Sequence, residues 1–399
     1  MKWIFFTLLS LGLSSASMAE TPDPLCVPDP DQMPANWRPP AALQKSLNPA
    51  PWSESEAKDA EAAIKSGLDE MINYFKQNPE AVQNLWDDSV EALIQVTHAS
   101  ANQPEFDAKA RDAARENLTA LITTYIDLDP DWAICREFNV LLPIAIFAHR
   151  LYSAEDTLRD VITKRTNAAY SDCGSLEDAI SIDFQSILAD KEAHPDNVED
   201  LFDLYLWSLW FIEAELYPDI ELPADARKFG QEAWKYFQTY KLARASEFED
   251  GVKDKDFIKI ANLATRIAQI PSGAHRFPLY VEDKPDLYRF YRENFYPVMQ
   301  SGELGVFASF VDSLRQYGCT AENDVQVREG SRYLLKAFHD SKDRWMNYRM
   351  KDEADVELDE NDLLQLPWKA ILGLRSRQWE QPIPGTYGGV VRRWLPQPH

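Results

Sequence analysis

Apolar side chains recur at three- and four-residue steps from Ser53 almost to Leu374, which is the spacing that a helix face requires. Alternation with a period of two residues, which is typical of strands, is nearly absent. Prolines fall mainly between the helical stretches, and glycine is scarce, with 14 in the chain. We therefore predict a single all-α domain over residues 53–380, with about twelve helices joined by short loops.

The predicted helices are of two kinds, and this difference constrains how they pack. Some have one polar face, whereas others are apolar nearly all round and must be covered on every side. The pattern is typical of inner helices wrapped by outer ones, as in an α/α toroid of helical hairpins, and a superhelix of hairpins fits equally. The amphipathic segments are 106–127 and 223–246, and the apolar segments are 138–151, 201–217, 257–270 and, less strictly, 331–346.

Strict alternation of inner and outer helices fails at two places in the sequence. Two helical segments, 155–170 and 176–190, separate the first two apolar segments. Two more, 284–300 and 302–317, separate the last two. A toroid therefore requires that each such pair forms one broken passage of the chain.

The chain begins with the features of a secretory signal peptide. A positive start is followed by a mostly apolar run over 3–13, and the small residues Ser17 and Ala19 flank the bulky Met18. We predict a signal peptide over 1–19 that is cleaved after Ala19. The protein is therefore expected to be periplasmic or secreted.

Irregular segments flank the predicted helical domain. Residues 20–52 contain nine prolines, which fix the backbone and remove donors, so we predict an extended Pro-rich N-terminal arm. Residues 381–399 combine prolines and glycines without helical periodicity, and we predict an irregular C-terminal tail.

The acidic charge of the chain narrows the classes of partner. The sequence carries 65 acidic and 41 basic residues, for a net charge of −24. This charge repels nucleic acid and anionic membrane surfaces, so we expect neither as a partner. The best later candidate for a membrane span, 138–148, is short and contains Pro143, so we expect no span in the mature chain.

The four cysteines indicate disulfides and not a metal site. An exported chain can form one or two bridges, and three pairings remain open. The wide spacing of the cysteines does not fit a metal-binding knuckle, and phosphate-loop, zinc-helix and nucleophile-elbow motifs are missing from the sequence. We therefore predict no metal and no cofactor. The disulfide candidates are Cys26, Cys135, Cys173 and Cys319.

Candidate functional side chains gather at the carboxyl ends of the apolar helices. If the inner helices run parallel, these ends meet at one mouth, where imidazoles and carboxylates can transfer protons and arginines can bind an anion. Helix-end capping explains the basic residues equally well, because they face the negative end of the helix dipole. The predicted catalytic residues are His149, Glu213, Glu215, His275 and Tyr280, and the predicted substrate-binding residues are Arg150, Tyr152, Ser272 and Arg276.

Two functions fit these features, and the sequence does not decide between them. The first is an exported, soluble binding or scaffold protein of the bacterial envelope, whose partner is an envelope protein or peptide. The alternative is a carbohydrate-active enzyme, a polysaccharide lyase or glycoside hydrolase, with an oligosaccharide in a cleft at the inner-helix ends. Tyr205, Trp207, Trp210 and Phe211 fit a carbohydrate cleft, although core packing explains these aromatic residues too.

Overall fold

The computed structural model describes residues 26, 34–45, 47–100, 103–126, 134–189, 198–350 and 358–376. Every regular element in these residues is a helix, which confirms the predicted all-α class. The predicted signal peptide (1–19) and C-terminal tail (381–399) lie outside the described residues. The helices are α1 Ala41–Gln44, α2 Glu54–Gln77, α3 Glu80–Asn84, α4 Asp88–Gln95, α5 Pro104–Ile126, α6 Phe138–Leu151, α7 Thr157–Ser171, α8 Leu176–Ile180, α9 Phe184–Ala189, α10 Val198–Ala214, α11 Ala226–Thr239, α12 Lys255–Ser272, α13 Pro285–Ser301, α14 Leu304–Gln316, α15 Val325–Asp340 and α16 Glu360–Leu374.

Side-chain caps fix where several of these helices begin. At the start of α2, the Ser53 amide donates to the Glu56 carboxylate (2.8 Å) and the Glu56 amide donates to Ser53 Oγ (3.3 Å). This reciprocal capping box satisfies two amides that a helix start leaves without partners. Aspartate side chains also accept amide hydrogen bonds at the starts of α12, α15 and α16. These caps are Asp254, Asp324 and Asp359.

The contacts between helices follow a regular order along the chain. α10 contacts α6 and α12, α12 contacts α14, α14 contacts α16, and α16 contacts α4. The other long helices each pack against members of this series: α5 against α4 and α6, α7 against α6, and α11 against α10. In the second half, α13 packs against α12 and α14, whereas α15 packs against α14, α16 and α2. The chain therefore alternates between the series α4, α6, α10, α12, α14, α16 and the helices that cover it.

Burial agrees with the two kinds of helix in the sequence. Consecutive buried residues occupy 141–148 in α6, 207–214 in α10 and 267–272 in α12. A helix that buries every residue over two turns is covered on all sides, as its apolar sequence requires. No helix in the described residues is both long enough and apolar enough to cross a bilayer.

Two covered helices lie near the end of the described chain, α14 and the second half of α16, and the segment 331–346 is not one of them. Residues 307–317 are all buried, whereas α15 exposes one face that includes Lys336 and His339. α14 buries the polar residues Asp312, Ser313 and Gln316 along with apolar ones. Its mixed composition does not predict a buried helix. Hydropathy treats polar residues as exposed, even when they have hydrogen-bond partners in the core.

Two disulfides resolve the pairing that the sequence leaves open. Cys26 bonds to Cys319 and Cys135 bonds to Cys173, with Cα–Cα distances of 5.0 Å and 4.7 Å. The first bridge ties the N-terminal segment to the loop after α14. The second joins the turn before α6 to the loop between α7 and α8. The predicted disulfides are therefore present, and none of the four cysteines is free.

The described part of the N-terminal arm lies against α13 and α15. Residues 34–52 include a 3-10 turn (Ala35–Trp37) and the single turn of α1, so this part is not wholly extended. The Trp37 ring packs edge-on against Tyr288 at 6.0 Å, and the Gln326 amide donates to the Trp37 carbonyl at 3.0 Å. The arm is thereby held by side chains as well as by its disulfide.

Candidate functional site

The loop after α12 turns His275 into the protein and not toward solvent. Gly273, Ala274 and His275 are three successive residues in the left-handed region, with φ of 57°, 52° and 69°. This turn brings His275 Nδ1 to 2.6 Å from Asp312 Oδ2, and Arg375 Nε lies 2.7 Å from Asp312 Oδ1. All three side chains are almost fully buried.

The charges of this buried group are balanced within the protein. Burial lowers the pKa of His275, although Asp312 opposes the effect. Burial acts to raise the pKa of Asp312, but Arg375 and His275 outweigh it and leave that pKa lowered. Arg375 and Gln316 also donate to the His275 carbonyl, at 2.9 Å and 3.0 Å. A neutral imidazole, one carboxylate and one guanidinium thus join the ends of α12, α14 and α16.

Glu213 and Arg276, both predicted at a helix end, form an ion pair. Glu213 is buried at the end of α10, and Arg276 follows α12. Ser272 Oγ donates to the Ala268 carbonyl (2.8 Å) and accepts from the His275 amide (3.2 Å). The structure therefore brings four predicted residues together in two pairs, of which Glu213–Arg276 connects α10 to the end of α12 and Ser272–His275 lies within that end.

Other predicted residues pair outside the predicted set. Glu215 forms an ion pair with Arg227 on α11, and Tyr152 hydrogen-bonds Thr119 on α5 at 2.7 Å. Arg150 at the end of α6 and Tyr280 after α12 are half-buried. The structure thus distributes these four side chains over separate helix contacts.

His149 lies between α7 and the loop after α10. Its Nε2 is 3.0 Å from Thr163 Oγ1, and its ring centroid is 4.9 Å from that of Tyr217. Burial and nearby Arg159 lower the pKa of His149 to about 4, so the imidazole is neutral at neutral pH. None of the nine predicted side chains lines either of the two cavities described below.

A cleft of about 390 Å³ lies where α4 and α6 begin, beside the middle of α10. Its volume is in the range of small-ligand sites. Three tryptophans, two carboxyls and an amide face it together with aliphatic side chains. The lining residues are Trp86, Asp87, Asn139, Val140, Ile180, Ser181, Ile182, Asp203, Leu206, Trp207 and Trp210.

Two residues of the cleft hold strained backbone conformations. Trp86 has φ of 47° and Ser181 has φ of 58°, both in the left-handed region that bulky residues seldom enter. The side chain of Trp86 is 39% exposed, although its ring also contacts Tyr125 at 5.9 Å. Strain of this kind persists where the surrounding structure fixes it, and it concentrates at ligand sites.

The other two tryptophans are held rigidly in the wall of the cleft. Trp207 stacks on Phe138, with ring centroids 6.1 Å apart and planes 6° from parallel. Trp210 meets Phe147 edge to face at 5.5 Å. Because both indoles are mostly buried, they present a small preformed surface to the cleft, beside the broader face of Trp86.

The two carboxyls of the cleft protonate more readily than ordinary aspartates. Burial raises the pKa of Asp87 well above its usual range, and the negative charges of Asp88 and Glu91 add to the effect. Burial also raises the pKa of Asp203, with Asp200 contributing. Asp87, which is half-buried, can therefore hold a proton at a pH where an ordinary aspartate is ionised, as a general acid must, whereas Asp203 is exposed.

A second layer of polar residues lies behind the cleft. Gln95 donates to Glu91 Oε1 (2.6 Å) and accepts from Trp368 Nε1 (3.1 Å), which joins α4 to α16. Burial and Asp88 raise the pKa of Glu91 to about 7, against the opposing charges of Lys369 and Arg266. This layer places Arg266 and Lys369 next to Asp88 and Glu91, and burial holds the pKa of Lys369 well below its usual range.

A second cavity, of about 450 Å³, adjoins the cleft through Ser181. It lies beside the Cys135–Cys173 disulfide and is lined mainly by acidic side chains. Its lining residues are Cys135, Arg136, Asp172, Gly174, Glu177, Asp178 and Ser181.

One group of side chains has the spacing of a metal site in the described residues. Cys26, Cys319 and Asp324 bring their ligand atoms within 4.8 Å of one another. The disulfide consumes both thiols, however, and Asp324 pairs with Arg292, so this group does not fit a metal. No protein-family model, curated protein or solved structure matches the chain.

Proposed function

We propose that the chain is an exported carbohydrate-active enzyme that binds an oligosaccharide in the cleft lined by Trp86, Asp87 and Asp203. The observation that carries the proposal is the presence of two carboxyls with raised pKa values in one tryptophan-lined cleft. Paired carboxyls are the groups that hydrolyse glycosidic bonds, and aromatic rings stack on the apolar faces of sugars. The export signal over 1–19 and cleavage after Ala19 belong to the same proposal.

We propose an α/α toroid as the scaffold of this enzyme. The succession of contacts from α6 through α10, α12 and α14 to α16 and α4 supports an inner ring of six helices. Under this arrangement α7, α8 and α9 form one broken outer passage, which accounts for the extra segments between 138–151 and 201–217. The covered position of α14 accounts for the other irregular place, because 302–317 then belongs to the inner ring.

Hydrolysis fits the cleft better than β-elimination. Of the described residues that line it, none is a tyrosine, histidine, lysine or arginine, and an eliminating enzyme needs such groups to move a proton and neutralise a uronate. In the proposed reaction, protonated Asp87 donates to the departing glycosidic oxygen. Asp203 assists as the base for water or as the nucleophile.

The residues predicted at the helix ends receive a different role in this proposal. The pairs Glu213–Arg276 and His275–Asp312 are buried, and each of these side chains pairs with another side chain of the protein. We assign them to holding the ends of α10, α12 and α14 together, and Arg276 has its partner without any substrate. The prediction of a non-catalytic envelope-binding protein becomes the alternative outcome of the test below.

The test uses the full exported chain and a broad panel of neutral, acidic and amino-sugar oligosaccharides. We expect calorimetric binding and new reducing ends for one class, with Asp87→Asn lowering turnover by about 100-fold or more while binding persists. Asp203→Asn should also lose turnover, whereas Asp225→Asn, at an exposed position before α11, is the matched control. Binding without any cleavage would support the binding-protein alternative, and no binding at all would refute the carbohydrate proposal.

Export is tested separately by sequencing the N-terminus of the protein recovered from outside the cytoplasm. We expect it to begin at Glu20, directly after the proposed cleavage site. Recovery only from the cytoplasm with Met1 or Lys2 at the N-terminus would contradict the proposed location.

A further inference from the structure

We infer that the ligand of the cleft is a cationic sugar, an oligomer of 2-amino-2-deoxyhexose units whose ammonium groups face Asp203 and the acidic side chains of the adjoining cavity. The inference rests on the proposed function in one respect, that the cleft binds an oligosaccharide. It adds the substrate class, which the tryptophans alone do not specify.

The charges around the cleft are distributed unevenly between its lining and the layer behind it. Arg266 and Lys369 offset Asp88 and Glu91 in that deeper layer. The charges that act most strongly on the two lining carboxyls, Asp87 and Asp203, are all negative. The deeper layer thus has basic side chains beside its carboxyls, whereas Asp87 and Asp203 face a cleft that has no lysine or arginine among its described lining residues.

A ligand ammonium group would relieve this like-charge arrangement. It would pair with Asp203, whose pKa is raised by burial and by Asp200, so that pKa would fall when the ligand binds, whereas Asp87 keeps the proton that the proposed reaction needs. The exposed face of Trp86, next to Asp87 in the chain, adds a cation–π contact and stacks on the sugar ring. A neutral sugar would stack on Trp86 but would not offset the negative charges around the cleft.

The adjoining cavity extends the same chemistry beyond one sugar unit. It shares Ser181 with the cleft and presents Asp172, Glu177 and Asp178 with a single cation, Arg136. The two cavities together offer about twice the volume of the cleft alone and carboxyls along both parts. This continuity points to an oligomer and not to a free amino sugar.

The experiment compares four ligands by calorimetry on the wild-type protein: oligomers of glucosamine, N-acetylglucosamine and glucose of equal length, and oligolysine. We expect the glucosamine oligomer to bind at least about tenfold more tightly than the two neutral oligomers, and to weaken markedly at about 0.5 M salt. Acetylation removes the positive charge while keeping the ring, so the N-acetylated oligomer is the matched control ligand.

Two variants test whether the preference for glucosamine oligomers comes from the cleft or from the negative charge of the whole protein. Asp203→Asn should reduce the preference for glucosamine over glucose oligomers severalfold, measured as the ratio of the two binding constants on that variant. Asp225→Asn removes the same charge from an exposed site and should keep the full preference. Thermal melting of each variant checks that it is folded.

The possible outcomes distinguish this inference from the proposed function. Equal binding of charged and neutral oligomers, with cleavage, would overturn the cationic class and leave the hydrolase proposal intact. Preferred binding of glucosamine oligomers without cleavage would support the class and refute hydrolysis. Oligolysine binding as tightly as the amino sugar, or equal loss in both variants, would overturn the inference, because the cleft would then recognise charge alone.

Discussion

The buried ion pair between Arg292 and Asp324 provides a quantitative test of the packing between α13 and α15. Arg292 Nη1 lies 2.8 Å from Asp324 Oδ2, and neither side chain is exposed to solvent. Arg292 also donates to Gln326 Oε1 (2.8 Å) and Tyr288 Oη (2.9 Å). Burial acts to lower the pKa of Arg292, but Asp324 raises it, so the guanidinium stays charged in the core.

Replacing Asp324 with asparagine removes the charge and little else. Asparagine has nearly the same shape and can still accept from the Val327 amide, now 2.9 Å from Asp324 Oδ1, so α15 keeps its cap. The guanidinium cannot lose its proton and remains buried without a counter-ion. We expect the free energy of unfolding to fall by about 3–5 kcal/mol, the usual cost of breaking a buried pair on one side.

The assay is urea unfolding at neutral pH, with the slope against urea compared between variants. Asp359→Asn is the matched control, because Asp359 caps α16 through the Asp362 amide (2.8 Å) but is exposed. We expect this control to change stability by less than about 0.5 kcal/mol. A loss for Asp324→Asn no larger than that of the control, at an unchanged slope, would refute the reasoning.

Two further outcomes follow from the structure. His149 has a pKa of about 4 in the folded protein and an ordinary value of 6.5, so protonation favours unfolding as pH falls from 6.5 to about 4. We expect His149→Gln to lose less stability than wild type over that window, and parallel urea midpoints would contradict this. Gly373→Ala places a Cβ 2.9 Å from a backbone oxygen of α14, so we expect a loss of about 1–3 kcal/mol. Gly305→Ala, which meets nothing within 4 Å, should instead gain up to about 1 kcal/mol, and equal midpoints for the two variants would disprove the close approach.

The fold class and the covered helices could be predicted because their cause is local. Segments such as 138–151 carry apolar residues on every side, and only burial on every side satisfies them. The capping box at Ser53 and Glu56 is equally local, since both partners lie within one turn. The covered position of α14 could not be predicted in this way. Its polar residues Asp312 and Arg315 have their partners outside α14, so their burial depends on contacts that are distant in the sequence.

Two walls of the candidate cleft, Trp207 and Trp210, were among the aromatic residues that the sequence suggested for a carbohydrate cleft, but Trp86 was missed for a related reason. Leu85, Trp86 and Val90 continue the apolar spacing of a helix, so Trp86 reads as a core residue. In the structure the chain leaves the helical conformation at Trp86 and turns its side chain outward before α4 begins. The signal that remains in the sequence is an aromatic residue directly before Asp87 and Asp88, between two short helical segments.

The predicted mouth at the helix ends depended on where side chains point, which periodicity does not specify. His275 does follow an apolar helix, but three successive left-handed residues rotate it toward Asp312. Glu213 and Arg276 do meet, as predicted for these helix ends, yet they form an ion pair with each other. Position along the chain was therefore predictable, whereas access to solvent was not.

The bond between Cys26 and Cys319 closes a covalent loop around most of the chain. A protease that cuts one connection between helices within this loop leaves both fragments attached to each other. The two fragments can pack against each other again because they cannot diffuse apart. The cut becomes visible on a gel only after the disulfide is reduced. Outside a cell, where no ATP-driven machinery repairs a damaged fold, such a molecule outlasts its first cleavage.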